Sequence, residues 1–276
     1  KERGKHMSHY TVTFSPTGNT SKASRAIMRG IREVLDEITD FEELDITLPS
    51  RRREALIFSE EDLLVIGMPV YAGRLPNLLL PYLNTIGGNG AKCVCVVTYG
   101  NRHYDDALIE LCDLVEERGF NIIAAAAVVG QHSFSELLAK GRPDEDDIAK
   151  LHDFGEAIGR KLSASNSETN LTIPGNHSYR PYYRPISEDG EYVDFRKIKP
   201  ETMEDCIDCK LCASSCPMGS IDFTDVSRIP GPCIKCCACV RVCPVSAKVF
   251  TDKSFIWHKE ELEEKYKERR EMELFL

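Results

Sequence analysis

Between positions 206 and 243 the chain repeats one cysteine pattern, C-x2-C-x2-C-x3-C-P, as CIDCKLCASSCP and then CIKCCACVRVCP. Thiolate sulfur is the soft ligand that iron–sulfur centres require. Three cysteines at this spacing can wrap three corners of a cubane, while the fourth points away and ligates the other cluster. The expected ligand sets are therefore crossed. One joins Cys206, Cys209 and Cys212 to Cys243; the other joins Cys233, Cys236 and Cys239 to Cys216. Zinc ribbons use two C-x2-C pairs with a longer spacer, so two [4Fe–4S] clusters fit the spacing better than structural zinc. Cys237 falls outside the pattern and reads as a bystander, or as a substitute ligand beside Cys236.

A second stretch, YTVTFSPTGNTSK at 10–22, runs from an apolar strand into a helix through Ser, Pro, Thr, Gly and Asn, with no cation before Lys22. Backbone N–H groups and the positive end of a helix dipole make such a turn an anion site. Neither a G-x-x-x-x-G-K-[ST] loop nor a G-x-G-x-x-G fingerprint occurs, and the turn taken alone could be a Ser/Thr-rich helix cap. Two further loops, GMPVYAGRLP at 67–76 and TYGNRHYDDA at 98–107, each bring a tyrosine and glycine to the ends of strands. His132, after the fifth strand, reads as a loop hydrogen-bonder, and nothing specifies a role for His103.

The elements that must position these residues alternate. Strands are expected at 10–14, 41–44, 62–68, 92–98 and 122–129, with helices at 20–35, 76–86, 104–118 and 144–162. The last three strands are near-continuous apolar runs, as strands covered on both faces are. Alternating βα units imply a doubly wound parallel sheet with ligands at its C-terminal edge. Residues 163–200 lose periodicity; 163–170 is polar, and SYRPYYRP at 178–185 is either an extended linker or an ordered strap with packed tyrosines. Cys206, Pro217 and Phe223 recur 27 positions later as Cys233, Pro244 and Phe250, so the cysteine-rich unit should pack as two pseudo-symmetric copies. Residues 253–276 read as a helical tail with a solvated, mixed-charge face.

With 276 residues the chain is long enough for about two domains. Its net charge of −9 argues against nucleic acid or an anionic membrane as the main partner, and no apolar run is long enough for a membrane span. The cysteine-sparse first half argues against a secreted disulfide framework and for a cytoplasmic protein. Residues 1–6, before Met7, read as an expression remnant.

On these motifs, residues 8–162 resemble the flavodoxins, and about fifty residues around the cysteines resemble the bacterial two-cluster ferredoxins. SPTGNT looks like the flavodoxin phosphate loop, so Ser15, Thr17, Asn19, Thr20 and the Gly18 amide match its phosphate ligands. The resemblance implies that Pro69, Val70, Tyr71, Ala72 and Gly73 form one flank of an FMN ring. Thr98, Tyr99, Gly100, Asn101 and Tyr104 form the other, with Tyr71 and Tyr104 as the stacking pair. The whole chain resembles the flavodoxin–ferredoxin fusion proteins of anaerobic microorganisms.

That implies a flavodoxin-like five-stranded sheet, order 2-1-3-4-5, in a domain at 7–162, a linker at 163–200, and a small α+β ferredoxin domain at 201–252. The implied cofactors are FMN and two [4Fe–4S] clusters, and the implied role is electron transfer inside one chain with redox proteins as partners. The alternative is a reductase in which clusters feed a flavin that reduces a quinone, free flavin or nitro compound. A redox sensor is a third reading. No catalytic acid or base is identifiable. Two departures from flavodoxins bear on redox poise: Asn101 stands where an acid is usual, and Arg74 and Arg102 lie close by, which should make the flavin less strongly reducing.

Overall fold

The computed structural model describes residues 8–35, 40–164 and 171–276. The remnant reading of 1–6, and most of the polar stretch 163–170, fall outside the described residues.

Five strands form the parallel sheet: β1 (His9–Thr13), β2 (Glu42–Asp45), β3 (Leu63–Pro69), β4 (Lys92–Tyr99) and β5 (Asn121–Val129). Their order is 2-1-3-4-5, the flavodoxin-like arrangement expected from the sequence. In β3 every residue is buried, as the near-continuous apolar pattern requires of a central strand covered on both faces. One face is covered by α1 (Asn19–Leu35) and α4 (Glu145–Ser163), whose Ile27, Ile31, Leu151 and Phe154 pack on Val65, Val96 and Ala126. These two helices touch at the backbone: a Cβ on Gly30 would lie 2.0 Å from the His152 carbonyl, and one on Gly155 would lie 2.1 Å from the Ile27 carbonyl. The contact fixes α1, and with it the loop at its N-terminus.

On the other face lie α2 (Leu80–Leu83) and α3 (Ala107–Glu117). Here the structure corrects two expectations. The helix expected over 76–86 is a single turn, because Pro81 lacks an N–H and can sit only where a helix begins. The helix expected from 104 starts at Ala107, because 104–106 remains loop, and Asp106 accepts from the backbone N–H of Asn176 and Arg180.

The segment after 171 is an ordered strap. Tyr183 N–H donates to the Ala72 carbonyl (2.8 Å), the Tyr182 hydroxyl to the Leu75 carbonyl (2.8 Å), and the Tyr179 hydroxyl to Asp113 (2.7 Å). The Arg74 guanidinium lies 4.6 and 5.0 Å from the rings of Tyr179 and Tyr182 while Glu110 accepts two bonds from it.

The cysteine-rich segment contains β6 (Glu201–Thr202), α5 (Leu211–Ser214), α6 (Ala238–Arg241) and β7 (Lys248–Val249), with β6 and β7 paired antiparallel. The sequence repeat is also a repeat of backbone conformation. Left-handed residues recur in pairs: Asp208 with Lys235, Lys210 with Cys237, and Gly219 with Ser246.

The tail departs from the expected solvated helix. Helix α7 (Lys253–Lys265) starts where expected but ends at Lys265, and β8 (Glu273–Phe275) joins the sheet antiparallel to β5 as a sixth strand. It covers an edge that would otherwise leave the β5 backbone unpaired.

Candidate functional site

Each crossed cysteine set lines its own cavity. Cys206, Cys209, Cys212 and Cys243 border one of about 330 Å³; Cys216, Cys233, Cys236 and Cys239 border another of about 380 Å³. The fourth cysteine of each run is thereby carried to the other copy, and each accepts a backbone N–H on sulfur: Ser220 to Cys216 (3.3 Å) and Ala247 to Cys243 (3.2 Å). Among the described residues no three cysteine sulfurs lie within 4.8 Å of one another. Tetrahedral bonds of about 2.3 Å to one zinc would bring them to about 3.8 Å. The donor sets thus suit a group larger than one ion. Burial, then the neighbouring thiols, push Cys239 up to about 12, so loading metal there must release a proton. Cys237 also borders the second cavity, but its left-handed backbone matches that of Lys210 and its thiol donates to the Lys235 carbonyl.

At the N-terminus of α1 a cleft of about 450 Å³ is bordered by Thr17, Asn19 and Thr20, by Pro69 to Tyr71, by Thr98 to Gly100 and by His132. The Thr20 and Thr98 hydroxyls lie 2.6 Å apart and buried, which joins the start of α1 to the end of β4. Two expected phosphate ligands, Ser15 and Gly18, do not border it. The Ser15 hydroxyl instead accepts the Ser21 N–H as a helix cap (3.0 Å), and Gly18 takes the left-handed turn that reverses the chain. Lys22 donates to the Pro143 carbonyl (2.6 Å), which leaves backbone amides and hydroxyls as the donors of this turn.

The cleft opens into a larger cavity of about 1410 Å³, its mouth included. Val70, Tyr71, Ala72 and Gly73 line one side and Tyr99 and Gly100 the other, with the loop 233–235 forming part of the wall. Two residues expected at this cavity are elsewhere. Tyr104 is 2% exposed behind His103, which stacks on it at 4.8 Å and lines the cavity in its place; the Tyr104 hydroxyl donates to Glu273. Asn101 is buried with its amide donating to the carbonyls of Tyr266 (2.5 Å) and Glu268 (2.8 Å), so it holds the tail. Arg74 is likewise absent from the lining, whereas Arg102 lines the cavity, pairs with Asp105 and lies 4.9 Å over the Tyr183 ring.

His132, Phe134, Lys235 and His258 also line the cavity and were not expected there; Tyr182 and Tyr183 line it too, from the strap. Only the aromatic density of SYRPYYRP offered a sequence signal for the two tyrosines. Burial, then His258, Arg102 and Arg241, hold the His132 imidazole at about 3, and its Nδ1 accepts the Phe134 N–H (3.2 Å), leaving Nε2 to carry the proton. An unfolded chain takes up a second proton there near 6.5. This contribution to stability is therefore complete above pH 6.5 and is lost as pH falls from 6.5 toward 3. In urea titrations of the flavin-free chain the midpoint should fall across that window, and His132→Gln should flatten the fall. An unchanged slope would contradict the assignment.

No family model matches the chain, and no curated protein matches it significantly. Solved structures similar to it include a flavodoxin from the domain Archaea, with 14% identity over 57% of this chain and 99% of that one at a TM-score of 0.37. Oxidised flavodoxin 1 from Bacillus cereus shows 18% identity over 56% and 97%, TM-score 0.37. The two-electron reduced flavodoxin of Megasphaera elsdenii shows 16% over 55% and 98%, TM-score 0.38. No described helix is long and apolar enough to cross a membrane.

Proposed function

We propose that this chain carries electrons between FMN and two [4Fe–4S] clusters held in one polypeptide. The observation that carries the reading is that Cys233, a member of one crossed set, lines the same cavity as Tyr71 and His103. Thr17, Asn19, Thr20 and the amides opening α1 would hold the phosphate, and Tyr71 and His103 would border the ring. When bound, FMN exchanges up to two electrons and each cluster one.

The chain's own part is placement. The strap and the α1–α4 contact fix the ring-side loops, and the wall at 233–235 brings the second cysteine set up to them. The set containing Cys233 is then the flavin-side site, and the set containing Cys206 faces outward, with Cys209 exposed for an external redox protein. In this reading 7–162 is the flavin domain, 163–200 the strap, 201–252 the cluster domain and 253–276 the tail that ties them, in a cytoplasmic protein. No carboxylate lines the cavity while Arg102 and Lys235 do, so negative charge there is favoured and the flavin should be less reducing than a flavodoxin's. One polypeptide replaces a diffusional encounter with a high effective concentration.

Protein purified without oxygen should carry about eight irons, about eight sulfides and one FMN. Zinc in place of iron, or clusters without flavin, would overturn the reading.

A second reading, reduction of a small molecule at the flavin, is favoured by the cavity itself. Its lining is mostly apolar and aromatic, with a few polar groups, as the pocket of a small ligand is.

A further inference from the structure

Lys235 is 8% exposed and lines the cavity beside the cysteine loop. Its ammonium has three donors, of which the Cys233 carbonyl takes one at 2.7 Å. Among the described residues no carboxylate lies within ion-pairing distance of it, whereas Arg102 is paired with Asp105 and Arg196 with Asp194. Thiolates of the neighbouring cysteine set would offset part of its charge, but its one hydrogen bond goes to the Cys233 carbonyl, and buried donors left without an acceptor are costly unless an anion meets them. The FMN phosphate does not, because its cleft lies at α1 and Lys235 does not border it.

The rest of the wall fixes the shape of that anion. Phe134, Tyr182, Tyr183, Phe195 and His258 present rings to the cavity, and a 24-residue lining contains no acid in a chain of net charge −9. Flat apolar walls with one unpaired cation select a flat apolar body with one negative group.

We propose that this cavity binds, beside the flavin, a second small planar aromatic anion whose carboxylate is taken by the Lys235 ammonium. The site rests on the flavin reading and gives the second reading its ligand class. Arg102 and Arg196 add positive potential at the same wall, and the aromatic strap covers the ligand's ring.

The test uses oxidised holoprotein, titrated anaerobically with 2-naphthoate and with its uncharged isostere 2-naphthamide while the flavin absorption band is followed. Naphthoate should perturb the band saturably, with the amide weaker by about tenfold or more. Lys235→Met should erase that preference at unchanged iron content. Should that variant fail to load its cluster, Arg196→Glu, an exposed substitution elsewhere in the lining, should weaken naphthoate but not the amide. Bound FMN whose band neither ligand moves, or equal affinities for the two, would overturn the second site alone. A chain that takes up no FMN would overturn both it and the flavin reading.

Discussion

On the proposed assignment, replacing Cys216 with serine is expected to remove the cluster assigned to Cys233, Cys236 and Cys239, not the one assigned to its sequence neighbours Cys206, Cys209 and Cys212. Iron and sulfide should both fall from about eight to about four per chain with FMN retained. The reason is spatial: Cys216 lines the cavity of the second copy, and the Ser220 N–H bonded to its sulfur fixes it there. Cys243→Ser should give the same iron count but empty the other cavity. The two variants therefore differ in function. Because the described part of 201–252 that borders the ring-side cavity is 232–235, next to the second set, Cys216→Ser should abolish electron exchange between flavin and the remaining cluster, while Cys243→Ser should leave flavin-to-cluster exchange intact. Iron analysis, cluster spectra and anaerobic flavin reduction separate them. Identical behaviour of the two variants would contradict the crossed assignment.

Arg142→Met is expected to cost about 3–5 kcal/mol, the range for breaking a buried pair from one side. The Arg142 and Asp147 side chains are 3% and 0% exposed, and two bonds of 2.7 and 2.6 Å join them. Asp147 also closes the capping box at the start of α4, and the third Arg142 donor is given to the Arg270 carbonyl, just before β8. Removing the guanidinium leaves a buried carboxylate with the Asp144 N–H (3.0 Å) and a 3.4 Å contact from Arg269, and frees the tail at its turn. Denaturant unfolding should show the loss, and limited proteolysis should cut within 266–276 sooner than in the parent. The double variant with Asp147→Leu should recover part of the loss, because no unpaired charge then remains. A loss below about 1 kcal/mol would place the stabilisation elsewhere.

The sheet was legible because its signal is local. β3, β4 and β5 announce themselves as apolar runs, and alternating βα units imply a parallel doubly wound sheet, while the strand order was given by the flavodoxin resemblance. The 76–86 error was legible too, since Pro81 is visible in the sequence and forbids an interior helix position. The tail was not. Glu273, Leu274 and Phe275 carry a weak strand pattern, and their pairing depends on the free edge of β5, a long-range fact.

The same holds at the site. The grouping of the cysteines around two separate pockets was legible in the spacing of the repeat, and the recurrence of left-handed positions shows that the backbone repeats with it. Tyr104 and His103 show the limit. One residue of register in a loop decides which ring lines the cavity, and the decision came from Glu273, 169 positions away, taking the Tyr104 hydroxyl. Lys235 was hidden inside the cysteine pattern, where a lysine carries no signal of its own.

The central claim, electron exchange within one chain, is tested most directly by rapid anaerobic reduction of the flavin followed by the optical change of the clusters. The account requires a first-order rate constant that does not change when the protein is diluted tenfold. A rate that falls in proportion to concentration would mean that electrons pass between separate molecules, and would contradict it.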